Sequence, residues 1–163
     1  MEPVVQTHIQ TENLVLRLRS PEEARAWVAG LDESVKKELS ESWLRRVAEA
    51  TRADPWLHGF SIVQRATGTT IGSASFKAPP EADGSVEIAY AVDPDHQRRG
   101  YATEAADALT TYAFATDGVR IVRAHTRPEP NASTRVLTKC GFRFVGDVVD
   151  PEDAPVRRWE KSG

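Results

Sequence analysis

Residues 85–112, SVEIAYAVDPDHQRRGYATEAADALTTY, join three patterns in a fixed order. Val86 to Val92 alternates in the manner of a strand. Asp93-Pro94-Asp95 breaks that strand and leads into a basic loop, Gln97-Arg98-Arg99-Gly100-Tyr101-Ala102. Apolar or small residues at 102, 105, 106, 109, 112 and 113 then form one face of a helix. A strand that runs through a glycine loop into a helix offers first-turn N–H groups and the positive end of the helix dipole to an anion. Gly100 lets the backbone come close, and Ala102 keeps the next contact small. Arg98 and Arg99 can pair with phosphate oxygens. A diphosphate-bearing ligand is the occupant this stretch predicts.

The chain has 163 residues, enough for one domain with its own core, and the expectation is a single domain over 1–163. Its net charge of −3 argues against a general affinity for nucleic acid or for an anionic membrane surface. The local Arg98-Arg99 pair suits a small anion better than a polyanion. Cys140 is the only cysteine, so no internal disulfide can form. The N-terminal stretch MEPVVQTHIQ lacks the basic and apolar regions of a signal peptide, and no run approaches the ~18 apolar residues of a membrane span. The expected setting is the cytoplasm.

Leu14, Leu16 and Leu18 share one face of a short strand over 14–19. Ser20-Pro21-Glu22-Glu23 has the form of a helix start, and that helix is expected to end near Gly30. A second helix is predicted over about 33–52, with Val35, Leu39, Trp43 or Leu44, and Val47 inward. Core packing is the expected role of Trp27, Trp43 and Trp56. Strands over 56–65 and 70–77 flank the turn Ala66-Thr67-Gly68-Thr69, where Gly68 supplies positive φ. After the strand–loop–helix unit come a strand over 119–126, a short helix over 131–139 with Gly141 as its C-terminal cap, and strands over 142–149 and 156–160. The order β-αα-βββ-α-β-α-ββ predicts an α/β fold with a mixed, mostly antiparallel sheet.

Two motifs carry a family resemblance. Gln97-x-x-Gly100-x-Ala102, after a strand and before a helix, resembles the [QR]-x-x-G-x-[GA] signature of the GNAT acetyltransferases. Asn131-Ala132-Ser133-Thr134-Arg135-Val136-Leu137-Thr138-Lys139-Cys140-Gly141-Phe142 resembles a segment of the branch that acetylates ribosomal-protein N-termini. The branch has asparagine three residues before the serine; that position here is Pro130, with Asn131 one place later. The resemblance implies a GNAT fold over nearly the whole chain and acetyl-coenzyme A as cosubstrate. It implies coenzyme contacts at Ala91, Val92, Gln97, Arg98, Arg99, Gly100, Tyr101, Ala102, Thr103, Asn131 and Ser133. Homodimers are common among such relatives.

Transfer of acetyl to an amine needs a proton acceptor, a stabiliser for the developing oxyanion and a proton for the leaving thiolate, and no covalent nucleophile. Glu87, on the strand face it shares with Ala89 and Ala91, is the candidate base: an acid among small residues on a central strand suits a cleft. By resemblance, the Val92 N–H is the candidate oxyanion donor and Ser133 the candidate acid. The tyrosine many GNAT enzymes use as that acid is absent here; Leu137 lies in the equivalent region. His125 reads as a hydrogen-bonded neighbour ahead of a second base, and Cys140 as a core residue. No spacing of His, Cys, Asp and Glu suggests a metal site.

The leading expectation is therefore an acetyl-coenzyme A-dependent N-acetyltransferase acting on a primary amine, of a small molecule or a peptide. A coenzyme-binding sensor or structural module without catalysis is the alternative. A Rossmann-type nucleotide-binding protein fails for want of G-x-G-x-x-G and of successive βαβ units. Asp32, Glu33, Glu38 and Glu41 would favour a cationic acceptor, although a solvated helix face accounts for them equally well.

Overall fold

In the computed structural model, residues 8–37, 39, 41–127, 132–149 and 155–163 are described. Eight strands form one sheet, in the order β1-β2-β3-β4-β5-β6-β8-β7. They are β1 (His8–Gln10), β2 (Leu14–Leu18), β3 (Phe60–Gln64), β4 (Thr70–Phe76), β5 (Ser85–Val92), β6 (Ile121–Thr126), β7 (Arg143–Val149) and β8 (Pro155–Ser162). The helices are α1 (Pro21–Ala29), α2 (Glu33–Lys36), α3 (Glu41–Glu49), α4 (Tyr101–Phe114) and α5 (Ala132–Lys139). Among the described residues β5 and β6 alone pair in parallel; the other ladders are antiparallel. The mixed, mostly antiparallel α/β expectation is borne out.

The core forms on the face of the sheet that α4 crosses. Leu14, Leu16 and Leu18 of β2, Ile62 of β3, Ile88 of β5 and Val122 of β6 meet Ala105, Ala106, Leu109 and Ala113 of α4. The run of alanines along α4 lets it lie close to the strands. A smaller cluster, Ala24, Val47 and Leu57, joins α1 to α3. The start signal at residue 20 works as expected. Ser20 Oγ accepts from the Glu23 N–H and Glu23 reaches back to the Ser20 N–H, with Pro21 in the first turn.

Several expected elements differ. The helix over 33–52 is two pieces, α2 and α3, and Val35 on α2 is exposed. The strand over 56–65 begins only at Phe60. Asp54 takes up the preceding stretch: its carboxylate accepts from Trp56 N–H at 2.8 Å, and its carbonyl accepts from the N–H groups of Leu57 and His58. That turn still places Trp56 on Phe76, with ring centroids 4.4 Å apart. Trp27, expected in the core, is 49% exposed and meets Trp43 edge-on at the surface.

β1 was not evident in the sequence, and one acid of α4 holds the turn that follows it. The Glu104 carboxylate accepts from the Thr11 hydroxyl, from Asn13 N–H at 2.8 Å and from Asn13 Nδ2 at 2.9 Å. Burial acts to raise the Glu104 pKa, but the hydrogen bonds from Thr11 and Asn13 outweigh it and the net shift is downward. A depressed carboxyl stabilises the fold fully above its ordinary value of 4.5 and loses that contribution as pH falls through the folded value. Glu104→Ala is expected to cost about 1.5–3 kcal/mol at neutral pH, the range for hydrogen bonds to a charged group. Urea unfolding of both proteins between neutral pH and about pH 3 checks this: the gap should narrow as the solution is acidified.

Candidate active site

β5 and β6 pair through Ser85–Ile121, Val86–Val122 and Glu87–Arg123, and there the ladder stops. β6 nevertheless continues to Thr126 and β5 to Val92, so the two strands part beyond Glu87. The Glu87 carbonyl accepts from Lys77 N–H, and Asp93 N–H donates to the Ile71 carbonyl, so the odd-numbered residues of β5 turn their backbone toward β4. By strand alternation Tyr90 and Val92 turn theirs into the gap. The Val92 N–H named from the sequence thus faces the opening.

A cleft of about 140 Å³ lies at this gap. Tyr90, Ser133 and Leu137 line it from the helix-covered face, and Glu87, His125 and Lys77 from the opposite face. A ligand on the helices and a second reactant on the other face can therefore meet between the strands. A larger groove of about 490 Å³ runs between β1 and α4 past Ile9, Glu104 and Tyr112, but none of the candidate catalytic residues lines it.

Glu87 is held by one oxygen. Lys77 Nζ lies 3.1 Å from its Oε2, and His125 Nδ1 lies 2.9 Å from the same atom. Oε1 has no partner among the described residues. On the far side of the ring, Arg158 Nε donates to His125 Nε2 at 3.1 Å. Accepting at Nε2 leaves the ring proton on Nδ1, against Glu87. Both ring nitrogens are thereby engaged, and His125 acts as a support for Glu87.

On the other wall, the Tyr90 hydroxyl is hydrogen-bonded to Ser133. Burial pushes the phenol up to about 12, only partly opposed by that bond, so Tyr90 is a neutral hydroxyl near neutral pH. Leu137, in the α5 region where many GNAT enzymes carry a tyrosine, is fully buried and lines the cleft. A tyrosine reaches the serine instead from β5. Alternation alone put Tyr90 on the core face; its meeting with Ser133 depends on how α5 docks.

The loop before α4 lies beside the parted end of β5. Gln97 Nε2 donates to the Val92 carbonyl at 2.8 Å and ties the loop to the strand. Arg98 takes a left-handed φ of 66° and Gly100 one of 83°. Gly100 is exposed, and a Cβ there would meet nothing within 4 Å, so conformation and not crowding selects glycine. No side chain caps α4, and the first N–H to reach a helical carbonyl is that of Glu104, bonded to Gly100 at 3.0 Å. The N–H groups of Tyr101, Ala102 and Thr103 are left at an open helix start.

Arg98 and Arg99 are exposed and form no ion pair among the described residues. Tyr101 anchors the start of the helix, its hydroxyl accepting from Gln64 Nε2 at 2.8 Å. Ala102 packs against the core, and the Thr103 carbonyl lies 3.5 Å from Cys140 Sγ. Cys140 is buried, and burial raises its thiol to about 11, which suits a core residue. Ala91 lies on the exposed face with Glu87. The expectation for Asn131 falls outside the described residues. Among those residues no three His, Cys, Asp or Glu are grouped to hold a metal ion.

These features fit a long ligand with an anionic middle: an open helix start with two exposed arginines, followed by a gap between strands that admits a narrow chain. A family model described as an acetyltransferase (GNAT) domain matches residues 3–143. The chain belongs to the GNAT acetyltransferases. It is 28% identical over 152 residues to the uncharacterized N-acetyltransferase YoaA of Bacillus subtilis, a match covering 85% of this chain and 84% of that protein. It is 27% identical over 106 residues to YjdG of the same organism, covering 65% of this chain and little more than half, 58%, of YjdG. The fold is similar to that of RimL, a ribosomal L7/L12 α-N-protein acetyltransferase solved with coenzyme A. The TM-score is 0.67 at 17% identity, covering 95% of this chain and 97% of that one. Enzymes of the GNAT family use acetyl-coenzyme A. No helix among the described residues is long and apolar enough to cross a membrane.

Proposed function

We propose that the enzyme acetylates a primary amine by direct attack on acetyl-coenzyme A, with Glu87 as base and Ser133 as acid. The observation that carries this reading is the gap between β5 and β6, which joins Ser133 on one face to Glu87 on the other. When bound, the coenzyme supplies an acetyl thioester. The start of α4, with Arg98 and Arg99, holds its diphosphate, and the parted strands take the chain that leads to the thioester. The free Oε1 of Glu87 accepts the amine proton, directly or through a water, as the new C–N bond forms. The Val92 N–H faces the charge that develops on the carbonyl oxygen. As the C–S bond breaks, the Ser133 hydroxyl protonates the sulfur, with the neutral Tyr90 hydroxyl beside it to replace the proton.

Calorimetric binding of acetyl-coenzyme A, run beside thiol release against a panel of amines, tests the scheme. Binding with release only when an amine is present supports it; binding without release for any amine favours the sensor alternative. Arg98→Ala with Arg99→Ala is expected to raise the KM for acetyl-coenzyme A about tenfold or more and to change kcat little, because both act on the diphosphate and not on the reacting atoms. An unchanged KM removes the diphosphate assignment. A homodimer belongs to the same proposal: the edge strand β7 exposes Phe144, Val145 and Val149, and sedimentation as a monomer would remove it.

A further inference from the structure

The sheet face that bears Glu87 also carries Arg123 and His125 of β6 and, in register with them, Glu160 and Arg158 of β8. Near Glu87 its charges pair, and Arg158 is left over. Lys77 lies against Glu87 at 3.1 Å, and Arg123 Nε is 2.7 Å from Glu160 Oε2. Arg158 has no carboxylate partner among the described residues; its one hydrogen bond there, through Nε, goes to Nε2 of His125. Its terminal nitrogens have no hydrogen-bond partner among the described residues, yet they are not among the buried polar atoms left unsatisfied there, so solvent or a ligand can reach them. Across the β7–β8 ladder the residue opposite Arg158 is Gly146, which has no side chain to cover or neutralise it. A partly buried guanidinium without a counterion among the described residues is costly, and the bond to Nε2 sets Arg158 behind His125, a residue that lines the cleft.

Resting on the acetyl-transfer reading above, we infer that the amine acceptor carries a carboxylate that Arg158 receives. The acceptor is then an amino acid or a peptide with an acidic N-terminal residue, and not a polyamine. Of the acids that suggested a cationic acceptor, Asp32, Glu33 and Glu41 line no part of the cleft and Glu38 lies outside the described residues, while both carboxylates of the floor are already held by cations. A planar fork with two free nitrogens matches a carboxylate in two-point contact.

Matched amines that differ only in this group test the inference. Glycine against glycinamide probes the amino-acid source. Amidated tripeptides beginning with Asp against Asn, or Glu against Gln, probe the peptide source. With rates corrected to equal free amine, the carboxylate member of at least one pair should be favoured by about 10- to 100-fold in kcat/KM. Arg158→Gln should abolish that preference and Arg158→Lys keep part of it. Equal rates across all pairs, or a preference that survives Arg158→Gln, overturn the inference. A second measurement needs no turnover and uses the unaltered protein. The Arg158 Nε–H resonance should shift saturably with N-acetylglycine or amidated N-acetylaspartate, and not with N-acetylglycinamide. No shift with either carboxylate also overturns it. Failure of every amine to be acetylated would count against the transfer scheme instead, and the resonance titration would still decide the anion site.

Discussion

Glu87→Gln is expected to lower kcat by about 100-fold or more, the usual contribution of a positioned general base. Affinity for acetyl-coenzyme A should not change, because Glu87 sits on the sheet face opposite α4 and α5. Glutamine keeps the size and one carbonyl oxygen of the original side chain, so the contacts with Lys77 and His125 can persist in weaker form. What it lacks is a carboxylate at Oε1, the atom without a partner. The Lys77 pair is half exposed, with side-chain accessibility of 54% for the lysine, and pairs of that kind add little stability. The variant should therefore melt close to the parent, and a loss of turnover can be assigned to chemistry. Single-turnover acetyl transfer at saturating coenzyme, with calorimetric binding alongside, makes the check. Turnover near the parent value would remove Glu87 as base; weakened coenzyme binding with unchanged turnover of the bound complex would make it structural.

The parts of this site written in local chemistry were the ones legible in the sequence. The alternation of Val86 to Val92, the break at Pro94 and the glycine at 100 each act through neighbouring residues, so β5, the loop and α4 could be read in order. The same holds for the capping box at Ser20 and Glu23, for Gly68 in its turn at φ 73° and for Gly141 at φ 88°. What escaped depends on distant partners. The apolar spacing of Val35, Leu39, Trp43 and Val47 continues a helical period that the fold interrupts after Lys36, so only Val47 is fully buried. Trp56 belongs to a turn because the Asp54 side chain competes for its N–H. The pairing of Tyr90 with Ser133, the hold of Lys77 and His125 on a single oxygen of Glu87, and Arg158 behind the imidazole each join residues on separate elements. No short-range pattern records them.

Gly72→Ala should be the most damaging change of a small residue in this sheet. Gly72 lies on β4 opposite Val92, at the end of β5 where the strands have parted. A Cβ built on it would fall 2.1 Å from the Ala91 carbonyl oxygen and 3.0 Å from Val92 Cα, both backbone atoms that no rotamer change can move aside. The ladder must shift to admit one methyl group, at a cost of about 1–3 kcal/mol by analogy with overpacked cores. The shift falls on the residue whose N–H faces the gap and whose carbonyl holds Gln97, so the loss should appear twice. Thermal or urea unfolding should show the destabilisation, and kcat should fall in protein that is still folded at the assay temperature. Gly68→Ala separates a local effect from a general one. It strains a turn at φ 73°, where a Cβ meets nothing within 4 Å, and it lies away from Val92. It should cost stability through its backbone conformation while leaving kcat of the folded enzyme near the parent value. If Gly72→Ala unfolds no more readily than the parent and turns over as fast, the close approach of β4 to Val92 is not what shapes the gap.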